Sequence, residues 1–495
     1  MLNNSSEPFD LTERLHRPVA IDWLVFYRIA FGSVMCWYAC KFLSSGTVEL
    51  FYTIPLIHFP YDGFEWVRPV DVKFVFDEQT YEFIHFQYLI MALTAFMIAV
   101  GLFYRVAAIL FAVCFVYGFL IDKSYYQNHY YLVSLLSLQL PFLPAHRACS
   151  VDAYFFPSIR SQLVPTWTLW LIRFQIGVPY FFGGIAKIDP DWLRGQPMRM
   201  SMAAKTDLPL IGGPWMEQEW VVMTLVWGGM LFDILIVPGL LYKKTRPLAY
   251  ILAVGFHLAN SVIWTIGIFP WFMILTTTVF FEPDWPRRLF VWIRRKSYVS
   301  SSIDHKAWKP ASARMQNLTT CFFILYVSWQ CLFPLRSFVY PGNSNWDEYT
   351  HHFAWHMLLR AKECGLRIYA TDPSSGRSGT VDLRSYVTGR QLGVISRDPR
   401  MIHQLCRFIA EDLEQRGHRG IEIRALALIS LNGRKPQVVV DPSVDLGHLP
   451  LPSGYPDYVM PLTEPFRHDA WDYPLSEWEH RIDLKLPPQM QLSSR

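Results

Sequence analysis

The chain has 495 residues, more than one ordinary domain requires. Hydrophobic residues make up 52% of it and charged residues only 17%, below the usual quarter, which argues against folding wholly in water. The net charge of +4 is too small to imply a nucleic-acid partner, so the placement of the charges carries more than their sum.

The first residues, MLNNSSEPFDLTERLHRP, are polar and mixed in charge, unlike the basic start of a cleavable signal peptide. The first apolar stretch is therefore expected to stay as an uncleaved anchor. A bilayer core needs about 20 apolar residues, and nine stretches meet or approach that length. They lie near 20–42, 84–103, 106–121, 129–144, 168–188, 220–241, 247–265, 267–282 and 316–334. Only Ile266 and Gly267 divide the seventh from the eighth, which predicts either a re-entrant pair or one broken helix.

Lys243, Lys244 and Arg246 follow the sixth span. The loop after the eighth carries Arg287, Arg288, Arg294, Arg295, Lys296, Lys306, Lys309 and Arg314. Such loops stay in the cytoplasm, which predicts a cytoplasmic N-terminus and an external region after Pro334. Arg28 and Asp233 are charges inside spans, and an ion pair holding helices together is the expected reading, with a proton relay as the alternative.

After residue 335 the pattern becomes that of a soluble α+β domain. The fold expected is thus a multi-pass α-helical membrane domain over 1–335 and an external α+β domain over 336–495. LRIYATDP and TVDLRSY read as strands around a glycine turn. PRMIHQLCRFIAEDLEQRG puts Ile402, Leu405, Ile409 and Leu413 on one helical face. IEIRALALIS alternates as a strand, and the Asn-Gly of LNGR predicts a hairpin returning through PQVVVDP. The last fifty residues lack periodicity and are expected to wrap over the domain or the membrane mouth. None of the eight cysteines forms a CxxC pair or a metal-ligand spacing with histidine; Cys364 and Cys406 are candidates for a disulfide.

Three polar features interrupt the membrane part on its external side. Asn128 and His129 open the fourth span, Lys187 closes the fifth, and His257 and Asn260 lie in the seventh. A buried lysine loses its proton more readily and becomes a usable base. The competing reading is that Lys187 snorkels to the headgroups and that each histidine is a bonded packing residue. No HExxH or Cys/His cluster suggests a metal.

The stretches QNHYYLVSLLSLQL, YFFGGIAKIDPDWLRGQPM, FHLANSVIWTIGIFPWFMI, HHFAWHMLLR and SLNGRKPQVVVDPSVDL resemble, in order, the vitamin K-dependent γ-glutamyl carboxylases and their bacterial homologues in the HTTM superfamily. The resemblance implies carboxylation of a peptide or protein glutamate with CO2 and O2, coupled to epoxidation of a reduced vitamin K (menaquinol or phylloquinol), without metal or biotin. It implies that Lys187 deprotonates the quinol, whose anion takes up O2 and rearranges to a base strong enough for a γ-proton. It places His129 and Asn128 beside the quinol oxygens and His257 in the same pocket, with Asn260 in the matching stretch. Trp355, Arg360 and Lys362 fall in the segment resembling the glutamate-binding element. An amphipathic surface helix is the alternative reading of HHFAWHMLLRAKE.

The chain departs from animal members in its shorter C-terminal part, in the LLRAKE context and in the absence of cysteine from residues 43–83. These features look bacterial, which implies an inner-membrane protein using menaquinol among membrane lipids. Two alternatives stay open: a quinol epoxidase that carboxylates nothing, and a transporter or lipid-binding protein. Transporters usually show internal repeats with paired broken helices, and none is evident here.

Overall fold

A computed structural model describes residues 10–76, 79–208, 211–264, 266–294 and 308–490. Arg295, Lys296 and Lys306 of the expected basic loop lie outside these residues.

Among the described residues, seven helices are long and apolar enough to cross a membrane. They are α1 (Asp22–Ser44), α2 (Phe83–Val100), α3 (Tyr104–Ile121), α5 (Thr166–Ala186), α6 (Glu219–Leu241), α7 (Arg246–Ile263) and α9 (Ala313–Leu332). The fourth and eighth expected spans are shorter helices, α4 (Asn128–Gln139) and α8 (Phe269–Thr277), each closed by a 3-10 turn. Hydropathy registers apolar composition but not where Pro141 ends a helix. Twelve residues rise only about 18 Å, short of a bilayer core. Between α7 and α8, Gly267 takes the left-handed conformation (φ 61°) that glycine adopts without a Cβ penalty.

The helices pack on Phe31, Phe111, Ile172, Ile176 and Leu240. They leave Leu89, Leu93 and Phe96 of α2, and Val106, Ile109 and Val113 of α3, exposed. Spacings of three and four residues put these side chains on one outward, lipid-facing stripe of each helix. Gly32 lets α1 and α2 meet, since a Cβ there would lie 2.5 Å from the Ala99 backbone nitrogen.

Arg28 and Asp233 do not pair. The Arg28 guanidinium donates to the carbonyls of Ala145 (3.1 Å) and Cys149 (2.5 Å), while Asp233 meets Lys187. At the Arg28 end of the bundle, away from Lys187, Arg246 pairs with Glu282 and Arg287 with Asp22. The basic side chains thus cluster at the end remote from the C-terminal domain.

That domain is built on an antiparallel sheet in the order β2-β1-β3-β4, with β1 Lys362–Asp372, β2 Arg377–Thr380, β3 Glu422–Leu431 and β4 Gln437–Val438. Helix α10 (Pro399–Gln415) starts where the Asp398 carboxylate accepts from the amides of Arg400 and Met401, with proline in the first turn. Its Ile402, Leu405 and Ile409 pack on Ile423, Ala425, Ala427 and Ile429 of β3. The alternate residues Leu426 and Leu428 meet Trp478 and Met490 of the C-terminal tail, so β3 is covered on both faces. Asn432 and Gly433 have φ of 52° and 73°, as the Asn-Gly signal requires of a primed hairpin turn. Cys364 and Cys406 are both free.

Candidate functional site: a buried lysine in an apolar cavity

Helix α5 ends in Gly183-Gly184-Ile185-Ala186 and Lys187. A Cβ on Gly184 would lie 2.6 Å from Ile234, and one on Gly183 would lie 2.6 Å from Met357. The two glycines therefore allow α6 and the 351–360 segment to close onto α5. That approach puts Lys187 Nζ 2.7 Å from Asp233 Oδ2 and 3.2 Å from the Gly183 carbonyl.

Lys187 is 5% exposed and Asp233 4%, so the ammonium does not snorkel to the surface. Asp233 stands about 20 Å along α6 from its start at the rise of a regular helix, so α5 stops well below the end of its neighbour. The loop that follows fills the space above. Asp189 accepts from the amides of Asp191 and Trp192, and the Trp192 indole donates to the Val226 carbonyl at 3.1 Å. Its ring lies 5.3 Å from Lys187 Nζ, a cation–π contact.

Asp191 anchors this loop to the C-terminal domain. Arg434 grips it with both terminal nitrogens, one at 2.7 Å from Oδ1, and Asn432 donates to Oδ2 at 3.0 Å. Asn432 also accepts from the Ala361 amide, so one turn residue joins the sheet, the 351–360 segment and the Lys187 loop.

Lys187 and Asp233 line a cavity of about 570 Å³ with Asn128, His129, Tyr180, His257, Asn260, Phe269 and Met357. The structure thus brings together all five membrane-part residues singled out in the sequence. His257 Nε2 meets the Tyr180 hydroxyl at 2.6 Å, while its Nδ1 is buried without a partner among the described residues. His129 stacks on Phe269 (5.2 Å between ring centroids). Asn128 donates to the His356 carbonyl and accepts from the Tyr126 hydroxyl.

Residues 350–361 are not a surface helix. They form a chain of turns in which Phe353, Trp355 and Leu358 have φ near 60°, an uncommon state for such side chains. Tertiary bonds hold it: the Phe353 amide donates to Tyr126, and Arg336 to the carbonyls of Thr350 and His352. Trp355 is buried against Tyr131 behind the cavity wall, while His356, Met357 and Leu358 line the cavity.

A second, polar cavity of about 200 Å³ adjoins the first at Gln127 and is lined by Lys123, Arg360, Arg390 and Arg397. Glu348 forms its floor, bonded to Arg360 Nε (2.5 Å) and Lys362 Nζ (2.7 Å). The Lys362 ammonium is fully enclosed and also donates to the carbonyls of Trp346 and Arg397, so it braces the cavity wall and does not face its space. Among the described residues, Arg360 has only Nε committed. Burial alone would raise the Glu348 carboxyl, but Arg360 and Lys362 hold it below the ordinary carboxylate range. Burial pushes the His352 ring down to about 3 and His356 to about 4, so both are neutral at physiological pH.

Sequence reading missed Asp233 as the partner of Lys187, Glu348 as the partner of both proposed substrate cations, and the Asp191 anchor. Asp233 carried a signal as an intramembrane acid, but depth counted from span ends does not show that α5 stops short.

The HTTM domain family profile matches residues 16–285, and that of the vitamin K-dependent gamma-carboxylase lumenal domain matches 315–465. No solved structure matches the chain. The first match covers more than half of the chain and the second the sheet-bearing domain beyond it, so the protein belongs to the vitamin K-dependent γ-carboxylase family, with an HTTM domain as its membrane part.

Proposed function

We propose that this protein carboxylates the γ-carbon of a peptide glutamate with CO2, coupled to epoxidation of menaquinol by O2. In this reading residues 1–335 hold the quinol, and the domain over 336–495 presents the peptide on the outer face of a bacterial inner membrane. One observation carries it: a buried Lys187–Asp233 pair in the wall of an apolar cavity that adjoins a cation-lined polar one at Gln127. The apolar lining suits a reduced naphthoquinone ring, and the unpartnered His257 Nδ1 fits one of its oxygens. When bound, the quinol supplies with O2 a base stronger than any side chain.

The residues divide the remaining work. Lys187 Nζ accepts the proton of the quinol hydroxyl, a group whose acidity resembles that of a phenol. Asp233 Oδ2 holds the proton that Lys187 must lose beforehand; the 2.7 Å contact makes that transfer direct. In the tautomer where Tyr180 donates to His257 Nε2, Nδ1 carries the ring proton and can donate to a bound oxygen. His129 and Asn128, in the wall of this cavity, would flank a bound quinol ring, and Asn260 lines the same wall. Arg360, through the terminal nitrogens that Glu348 leaves free, takes the substrate carboxylate; Lys362 and Trp355 position that segment.

The test supplies purified protein with menaquinol, O2, labelled bicarbonate and a Glu-containing peptide, and measures epoxide and fixed label separately. Both products are expected. Epoxide without label would reduce the reading to a quinol epoxidase, and neither product would remove it.

A further inference from the structure

The membrane domain holds another large cavity, about 670 Å³, lined by the α4–α5 connection from Arg147 to Leu163. The 21 residues of α5 separate this connection from Lys187 by about 30 Å, so the cavity opens at the opposite bilayer face. Its charged lining is cationic, with Arg147 and Arg160 in the wall and Arg105 beside Arg147. The nearest acid is committed, since both Asp152 oxygens accept backbone amides, from Phe103 and Tyr104. Arg160 uses Nε on the Ala153 carbonyl, and its terminal nitrogens have no partner among the described residues. Among the described residues, none of the three arginines has an ion-pair partner.

We propose that this cavity binds the headgroup of an anionic phospholipid, with Arg147 and Arg160 on the phosphate and Arg105 adding to the local field. Like charges held close without counter-ions are costly, and a phosphate relieves that cost with the bidentate geometry arginine favours. Partial burial, and then the like charge of Arg105, already pull the Arg147 guanidinium below its usual range. The site is rigid: buried Arg28 fixes the carbonyls of Ala145 and Cys149 in the same connection. Its rim identifies the source of the phosphate. Phe103, Tyr154 and Phe155 are each at least 60% exposed, as aromatic side chains are at a membrane–water interface. A basic pocket between helix ends on the face remote from the C-terminal domain suits a lipid headgroup.

The test is native mass spectrometry of the full chain in detergent with phosphatidylglycerol or phosphatidylcholine of identical acyl chains. The wild type is expected to retain phosphatidylglycerol preferentially. At about the attraction expected per arginine near a membrane surface, the Arg147→Gln/Arg160→Gln double variant should lose roughly thirtyfold of that retention, and Arg160→Lys should keep most of it. Equal retention of the two lipids by the wild type would overturn the proposal, and that comparison stands even if the double variant fails to fold. Undiminished retention in a folded double variant would also overturn it. Binding of inorganic phosphate to delipidated protein, with no preference for phosphatidylglycerol, would assign the cavity to a soluble anion instead.

Discussion

Replacing Asp233 with Asn removes one negative charge from a pair buried at 2.7 Å while keeping the shape of the side chain. An ammonium left without its partner in so dry a place costs about 3–5 kcal/mol, unless Lys187 sheds its proton. The loss of a proton holder has a kinetic signature distinct from instability. Asn cannot take the proton that Lys187 must release, so kcat for epoxidation should fall about a hundredfold or more, the usual scale for a general acid–base group. The KM for quinol should change little, because Asp233 acts through Lys187. Steady-state and single-turnover epoxidation in nanodiscs, beside a thermal melt, separate the two effects, and Asp233→Glu should recover part of the rate. Wild-type or faster epoxidation by a folded Asp233→Asn enzyme would rule out a proton-holding role and leave Asp233 as a restraint on the lysine.

Arg434→Gln breaks the largely buried grip on Asp191, which should cost about 3–5 kcal/mol in a denaturant titration and lower epoxidation without peptide; an unchanged midpoint would show that the hairpin does not brace the Lys187 loop. Arg360→Ala should raise the KM for a Glu peptide by the loss of about 1.5–3 kcal/mol while sparing peptide-independent epoxidation; equal loss of both would make Arg360 structural. Burial raises the Asp347 carboxyl to about 6, so its protonated form favours the fold, and this contribution is lost as pH rises from 3.8 through about 6. Asp347→Asn should therefore stabilise at pH 7.5, by at most on the order of 2–3 kcal/mol, with no gain near pH 4; a pH-independent melting shift would contradict this. In a cysteine-free background, a cysteine replacing Ser375 should label from outside intact cells and one replacing Lys243 should not; the reverse pattern would invert the proposed orientation.

Patterns of local origin were legible in the sequence. The alternation of β3, the Asn-Gly turn and the apolar face of α10 each follow from short-range geometry, and each is found. Lys187, His129 and His257 stood out because polar groups interrupt apolar runs at one depth, and they share a cavity. Contacts between distant segments were not legible. The 351–360 stretch has helical spacing, yet bonds to Tyr126, Asn128 and Arg336 outweigh it and hold three bulky residues in left-handed geometry. Asp233 was matched with Arg28 because both are intramembrane charges. Loop carbonyls satisfy Arg28 instead, and the glycines of α5 bring Lys187 to Asp233. Arg360 and Lys362 read as free cations because their common partner, Glu348, sits in an irregular loop with no pattern of its own.

The role of Lys187 as base for the quinol is tested most directly by epoxidation with Lys187→Arg and Lys187→Ala enzymes that fold and bind quinol. Arginine keeps the charge opposite Asp233 but cannot act as a neutral base, because its pKa is too high. Both variants are expected to be inactive at neutral pH, and small amines to restore part of the Lys187→Ala rate in Brønsted order of their basicity. An active Lys187→Arg enzyme would contradict that role and reduce the lysine to the cation of a structural ion pair.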